Sequence, residues 1–138
     1  DEVERNVFVE PSRINSTFGG NLVDMVRFQR ILEVMEEERL VERAARVGAF
    51  FLEQLRALAG ELDGLVTNVR GRGLLLAIDL PDASVRNAAV KACLDRKLFV
   101  LTCGERSIRF RPSLIFTEEH AAEATSRLRA ACQDVAVR

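Results

Sequence analysis

A helical repeat opens the readable part of the chain: Met25, Phe28, Ile31, Leu32 and Met35 fall three or four residues apart with charges between them, as on one face of an amphipathic helix. Asp24 suits the positive end of that helix. A second series, Leu40, Ala44, Val47, Phe51, Leu55 and Leu58, runs to about Ala59, where Gly60 and Gly64 interrupt it. A bend near Glu38 to Leu40 is expected between the two. The period then changes. Val66 to Val69 and Leu74 to Leu80 are aliphatic and β-branched and flank Arg70-Gly71-Arg72-Gly73, which predicts two strands joined by a glycine turn, the second ended by Pro81. Ser84 is the predicted cap of a helix carrying Val85, Ala88, Ala89, Ala92, Cys93 and Leu94, and Phe99 to Leu101 predicts a third strand. Ser107-Ile108-Arg109-Phe110-Arg111 alternates, so as a strand it puts Ile108 and Phe110 on one face and Arg109 with Arg111 on the other before Pro112 closes it. Thr117 ahead of Glu118, Glu119 and His120 signals the start of a last helix with an Ala121, Ala124, Leu128, Ala131, Val135 face. The fold class is therefore α/β: long N-terminal helices followed by β-β-α-β-β-α.

Composition limits the function classes. With 138 residues, 48% of them hydrophobic, the chain can bury one sizeable core. A net charge of −1 supplies no field for nucleic acid, and Glu36-Glu37-Glu38 is only a helix-surface patch. No apolar stretch approaches the ~20 residues of a membrane span. Cys93, Cys103 and Cys132 are odd in number and widely spaced, fitting a reducing, cytoplasmic setting, and with His120 they lack the close ligand pairs of a metal site. The opening Asp1 to Phe8 has no capping logic, so the chain reads as part of something longer.

Candidate chemistry sits in two places. Ser16-Thr17-Phe18-Gly19-Gly20-Asn21 puts two hydroxyls beside paired glycines and just ahead of a helix, an arrangement suited to a phosphate; taken alone it reads first as an N-capping turn that starts a helix. Arg109 and Arg111 make a cationic strand face, and guanidinium is the side chain best shaped to grip a carboxylate, although solvated surface arginines would give the same pattern. Arg70 and Arg72 read as residues that pin a hairpin turn. No catalytic device is complete: Ser16 and Thr17 lack a neighbouring histidine, and Lys91 and Lys97 lie in a surface-helix context.

Pro11 to Arg27, spelling Pro-Ser-Arg-Ile-Asn-Ser-Thr-Phe-Gly-Gly-Asn-Leu-Val-Asp-Met-Val-Arg, resembles the segment after the cofactor lysine in class III aminotransferases dependent on pyridoxal phosphate. Val69 to Leu74 resembles the turn and strand that open that family's small domain, and Ile108 to Leu114 its substrate-arginine strand. The three motifs stand in the family's order. Many members carry other residues where this chain has Ile14, Asn15 and Leu22, and the run Asn-Ser-Thr, an aromatic, two glycines, Asn and Leu is similar above all to the lysine 6-aminotransferase branch. The resemblance implies the C-terminal portion of a fold-type I enzyme: a loop of the large domain over 1–23, interdomain helices over 24–60, and a small domain over 61–138 with a small, mostly antiparallel sheet. It implies that Thr17, assisted by Ser16, holds the cofactor phosphate of the partner subunit in a homodimer, and that Arg109 grips the substrate carboxylate. It implies transfer of the terminal amino group of L-lysine to 2-oxoglutarate. The family's lysine and pyridine-pairing aspartate fall outside this segment, so the chain by itself is expected to be inactive. An ornithine or 4-aminobutyrate enzyme, or a non-catalytic binding or dimerisation module, are the alternatives.

Overall fold

Two long helices separated by a two-residue turn lead into an antiparallel sheet in the structure, a computed structural model that describes residues 2–5, 9 and 16–136. Pro11 to Asn15 of the first motif lie outside the described residues. The chain divides into two compact units, one ending at Glu38 and one beginning at Arg39.

The first unit holds α1 (Glu2–Glu4), a turn over Thr17–Gly20, and α2 (Leu22–Glu37). Asn21 caps α2: its side-chain oxygen accepts from the Val23 N–H at 2.9 Å, satisfying one of the donors a helix start leaves over. The predicted helix is present. Its apolar face is not covered, however, because α2 contains no buried residue, and Met25 and Phe28 are 59% and 62% exposed.

The second unit begins with α3 (Leu40–Glu61), entered through Arg39 in a left-handed conformation (φ 50°), which interrupts the helical run between Glu37 and Leu40. The face read from the sequence is its buried one: Leu40, Val47, Phe51, Leu55 and Leu58 are all within 4% of fully buried. Then follow β1 (Thr67–Arg72), β2 (Leu75–Asp79), α4 (Ala83–Asp95), β3 (Leu101–Cys103), β4 (Ser107–Phe110) and α5 (Glu118–Ala136). The β-β-α-β-β-α order is as expected. The sheet order is β1-β2-β4-β3 and every neighbouring pair is antiparallel.

Alternation along the strands decides the layers. Leu76, Ile78, Ile108 and Phe110 point into the core with α3, α4 and α5, where Leu128, Cys93 and Cys132 join them. The opposite face carries Leu75, Ala77, Asp79, Ser107 and Arg109. Gly48 sets the closest approach of helix to sheet: a Cβ built there would lie 2.1 Å from the carbonyl oxygen of Gly73, in the β1–β2 turn.

Three details differ from the sequence reading. Asp82, not Ser84, caps α4, with its carboxylate accepting from the Val85 N–H at 2.9 Å; Asp82 is extended (φ −152°) as a cap must be, whereas Ser84 already lies within the first turn. Arg70 to Arg72 continue β1 instead of forming its turn, which is tightened to Gly73 and Leu74. The third strand forms at Leu101–Cys103, leaving Phe99 77% exposed, and Leu94 faces solvent at 59%. Thr117 caps α5 as predicted, its hydroxyl accepting from the His120 N–H while His120 Nδ1 accepts from the Thr117 N–H. Among the described residues no helix is long and apolar enough to cross a membrane, and no cluster could hold a metal ion.

Candidate functional site

The hydroxyl loop belongs to the first unit. Its turn is held by the Gly19 N–H donating to the Ser16 carbonyl at 3.1 Å and the Asn21 N–H donating to the Phe18 carbonyl at 3.2 Å. Gly20 takes a left-handed conformation (φ 78°), and nothing lies within 4 Å of where its Cβ would be, so the backbone there stays open to a ligand. Ser16 and Thr17 are exposed. Two adjacent hydroxyls and an unobstructed glycine ahead of a helix N-terminus form a donor set that fits a phosphate ester.

Arg109 belongs to the second unit. On β4 it sits opposite Ala77 of β2 and Leu101 of β3. It borders a groove of about 250 Å³, lined in addition by Phe51, Val100, Phe110, Arg111 and Pro112. Phe51 and Phe110 meet edge-on there, 5.4 Å apart at 72°. Arg109 Nε is buried and has no hydrogen-bond partner among the described residues. A buried guanidinium N–H without a partner costs about 1–3 kcal/mol, a cost that an arriving carboxylate removes. Nε and a neighbouring Nη offer parallel donors to such a group. Arg111, expected beside Arg109, lies just past the strand end and also borders the groove.

A polar cluster on the same sheet face escaped the sequence reading. Asp79 Oδ1 accepts from Arg70 Nη1 at 2.8 Å and from Ser107 Oγ at 2.6 Å, and Oδ2 accepts from Asn68 Nδ2 at 2.8 Å. Arg70 Nη2 donates in turn to Ser107 Oγ at 3.1 Å. Asn68 reaches in because β1 bulges between Thr67 and Arg70, with Asn68 left-handed (φ 48°), a conformation asparagine tolerates better than most residues. Burial alone would raise the Asp79 carboxyl, but the hydrogen bonds from Ser107, Asn68 and Arg70 outweigh it and hold the group down to about 2. The one hint in the sequence was an acid at the end of an apolar strand.

Ser16 and Thr17 thus share one turn, and Arg109 stands on a sheet in the other unit. In chain order, the phosphate-friendly loop of the first unit comes before a β-β-α-β-β-α body that carries the carboxylate-friendly strand. Residues 2–132 match the model of the class III aminotransferase family. The chain belongs to that family, whose members depend on pyridoxal phosphate. The L-lysine-epsilon aminotransferases of Streptomyces clavuligerus and Amycolatopsis lactamdurans are 42% and 45% identical to it, over 99% and 94% of this chain and 30% and 29% of their own. The mitochondrial 4-aminobutyrate aminotransferase of Mus musculus is 32% identical over 80% of this chain and 22% of its own. Among solved structures, the lysine aminotransferase of Mycobacterium tuberculosis superposes with a TM-score of 0.88 at 43% identity, covering 98% of this chain and 31% of that one. The chain therefore spans about a third of the length of the relatives it matches.

Proposed function

We propose that this chain is the C-terminal portion of a homodimeric, cytoplasmic transaminase that moves the terminal amino group of L-lysine to 2-oxoglutarate. The observation that carries the reading is the buried, unpartnered Nε of Arg109 at the wall of a groove. Family membership says which reaction type such a clamp would serve. Pyridoxal phosphate, when bound, supplies the electron sink for moving the amino group. The residues of this chain do the holding. Thr17, with Ser16, would hold the cofactor phosphate through hydroxyl donors, across the dimer interface. Arg109 would take the substrate carboxylate side-on and so fix the distance from that carboxylate to the amine that reacts. For lysine, a fixed carboxylate presents the far amine. The apolar groove wall of Phe51, Val100 and Phe110 keeps water from competing for the guanidinium. The chain alone holds none of the bond-making groups and is expected to be inactive.

The test uses the full-length protein that contains this chain. With pyridoxal phosphate and 2-oxoglutarate, L-lysine should be consumed faster than ornithine or 4-aminobutyrate, and Arg109→Ala should raise the KM for the carboxylate substrate by a factor equivalent to about 1.5–3 kcal/mol. Unchanged kinetics in Arg109→Ala would remove Arg109 from the site. Preference for 4-aminobutyrate would favour the second reading, whose support is the 32% identity to the mouse enzyme. Absence of any transamination would leave the module reading.

A further inference from the structure

The one histidine of the chain closes the start of α5. His120 Nδ1 accepts from the Thr117 N–H at 3.3 Å and the His120 N–H donates to the Thr117 hydroxyl at 3.2 Å, so each residue satisfies the other's backbone donor. Glutamate or glutamine is the usual partner in such a capping box, and each still accepts near neutral pH. An imidazole differs: Nδ1 accepts only while the ring is neutral and its proton sits on Nε2. The same ring lies against Phe116, centroids 5.6 Å apart at 32°, and Phe116 lies in turn against Phe51 at 5.7 Å. Phe116 lines both the groove beside Arg109 and a second groove of about 360 Å³ that His120 borders. The loop from Arg111 to Thr117, which joins β4 to α5, is thus held at its far end by an acceptor that one proton removes.

We propose that His120 is a pH-sensitive latch on the groove beside Arg109: the neutral ring closes the cap and props Phe116 in the groove wall, and protonation releases both, so that the groove holds its substrate less well in mildly acidic medium. This rests on the reading of that groove as the substrate site. Protonation sets Nδ1–H against the Thr117 N–H, donor against donor, and puts a positive charge at the positive end of a helix. A ring flip does not restore the bond, because it turns a C–H toward Thr117. The surrounding charges do not hold the ring in place either. On the α3 side of the cap, Arg46 is paired with Glu118, Arg43 donates to the Ile115 carbonyl at 3.1 Å, and Glu119 is exposed. On the other side, Glu123 and Arg127 border the second groove with His120 and are paired with each other. Two cations thus approach from α3, and the carboxylates of α5 draw an imidazolium away from Thr117. With the cap open, the Phe116 end of the loop is free to leave the groove wall.

The experiment compares the unaltered full-length protein with its His120→Gln, His120→Ala and Arg109→Ala variants between about pH 8 and about pH 5, the span in which histidine changes charge. It reads kcat and KM for L-lysine and, by mass spectrometry, hydrogen exchange of the peptide covering residues 111–120. Glutamine keeps an acceptor for Thr117 at every pH, and alanine has none. Acid should raise the KM of the unaltered protein about three- to tenfold relative to His120→Gln, the scale of one lost cap bond, with the kcat ratio unchanged. Exchange in the peptide should quicken with it, again relative to His120→Gln at the same pH. His120→Ala should show the raised KM and fast exchange throughout. If the unaltered and His120→Gln profiles coincide in either readout, the proposal is overturned; coincidence in KM alone leaves His120 a structural cap. His120→Glu, which also accepts from Thr117, replaces His120→Gln if the latter folds poorly. KM raised in Arg109→Ala together with coincident profiles defeats the latch alone; KM unchanged in Arg109→Ala removes the groove from the site and the latch with it.

Discussion

Replacing Gly48 by alanine sets helix propensity against packing, and the structure says which wins. Gly48 lies well inside α3, where alanine is favoured over glycine by about 0.8–1 kcal/mol. Propensity alone predicts a more stable protein. The added Cβ would, however, stand 2.1 Å from Gly73 O, 2.3 Å from Gly73 C and 2.7 Å from Gly73 Cα. All three are backbone atoms of a left-handed turn residue (φ 54°) that has little freedom to retreat. Restoring ordinary contact requires α3 to lift from the β1–β2 turn by about an ångström, loosening the buried neighbours Val47 and Phe51. Overpacking of this kind costs about 1–3 kcal/mol, so after the propensity gain the net effect should be a loss of up to roughly 2 kcal/mol. Gly60 is the internal control: it is in the same helix, and nothing lies within 4 Å of its would-be Cβ. Gly60→Ala should gain up to about 1 kcal/mol. Urea or thermal unfolding of the 138-residue chain reads both. For a unit of this size the two variants should separate by several degrees, about 4–8 °C per kcal/mol, in opposite directions. A Gly48→Ala protein as stable as Gly60→Ala would show that helix and turn are not in contact and would refute the packing argument.

Acid should weaken the fold through Asp79. Its carboxyl is held below the ordinary 3.8, to about 2, so the stabilisation is complete above about pH 4 and is lost as pH falls toward 2; the change is of order 1–2 kcal/mol. Asp79→Asn should flatten that part of the stability curve measured by denaturant titration, and an unaltered slope would mean that the carboxylate is not held as described. Thiol titration should count one reactive cysteine in the native chain and three after unfolding: Cys103 is partly exposed, whereas Cys93 and Cys132 are buried, which pushes their thiols up to about 11 and 12. Three fast thiols in the native chain would place the α4 and α5 cores in solvent.

The elements were legible because their burial is one-sided. Phe51, Leu55 and Leu58 lie on one stripe of α3, and Ile108 and Phe110 alternate with Ser107 and Arg109, so the period revealed each inward face. Boundaries fared worse where two residues compete for one role: Asp82 and Ser84 can each cap, and only the backbone conformation decides. The site was legible as residues but not as relations. Arg109 stood out with Arg111 as the cationic face of an alternating strand, yet the assignment of Asp79 to Arg70 depends on a bulge at Asn68 and on strand register, neither of which local periodicity carries. The exposed face of α2 has the pattern of a buried helix, since pattern reports that a face wants cover and not what supplies it.

The closing role of α5 bears on how the chain emerges from the ribosome. It packs on both α3 and α4, and Arg129 at its middle holds Glu61 at the end of α3, 68 positions earlier, at 2.6 Å. Until that last helix has been made, Phe51, Leu55 and Leu58 lack the part of their cover that α5 supplies. At about 5–20 residues per second, translation from α3 to the end of α5 leaves that cover incomplete for roughly 4–15 s. During that interval the nascent second unit presents apolar surface of the kind chaperones bind, and synonymous changes that slow translation between β1 and α5 would prolong the exposure without altering a single contact in the finished protein.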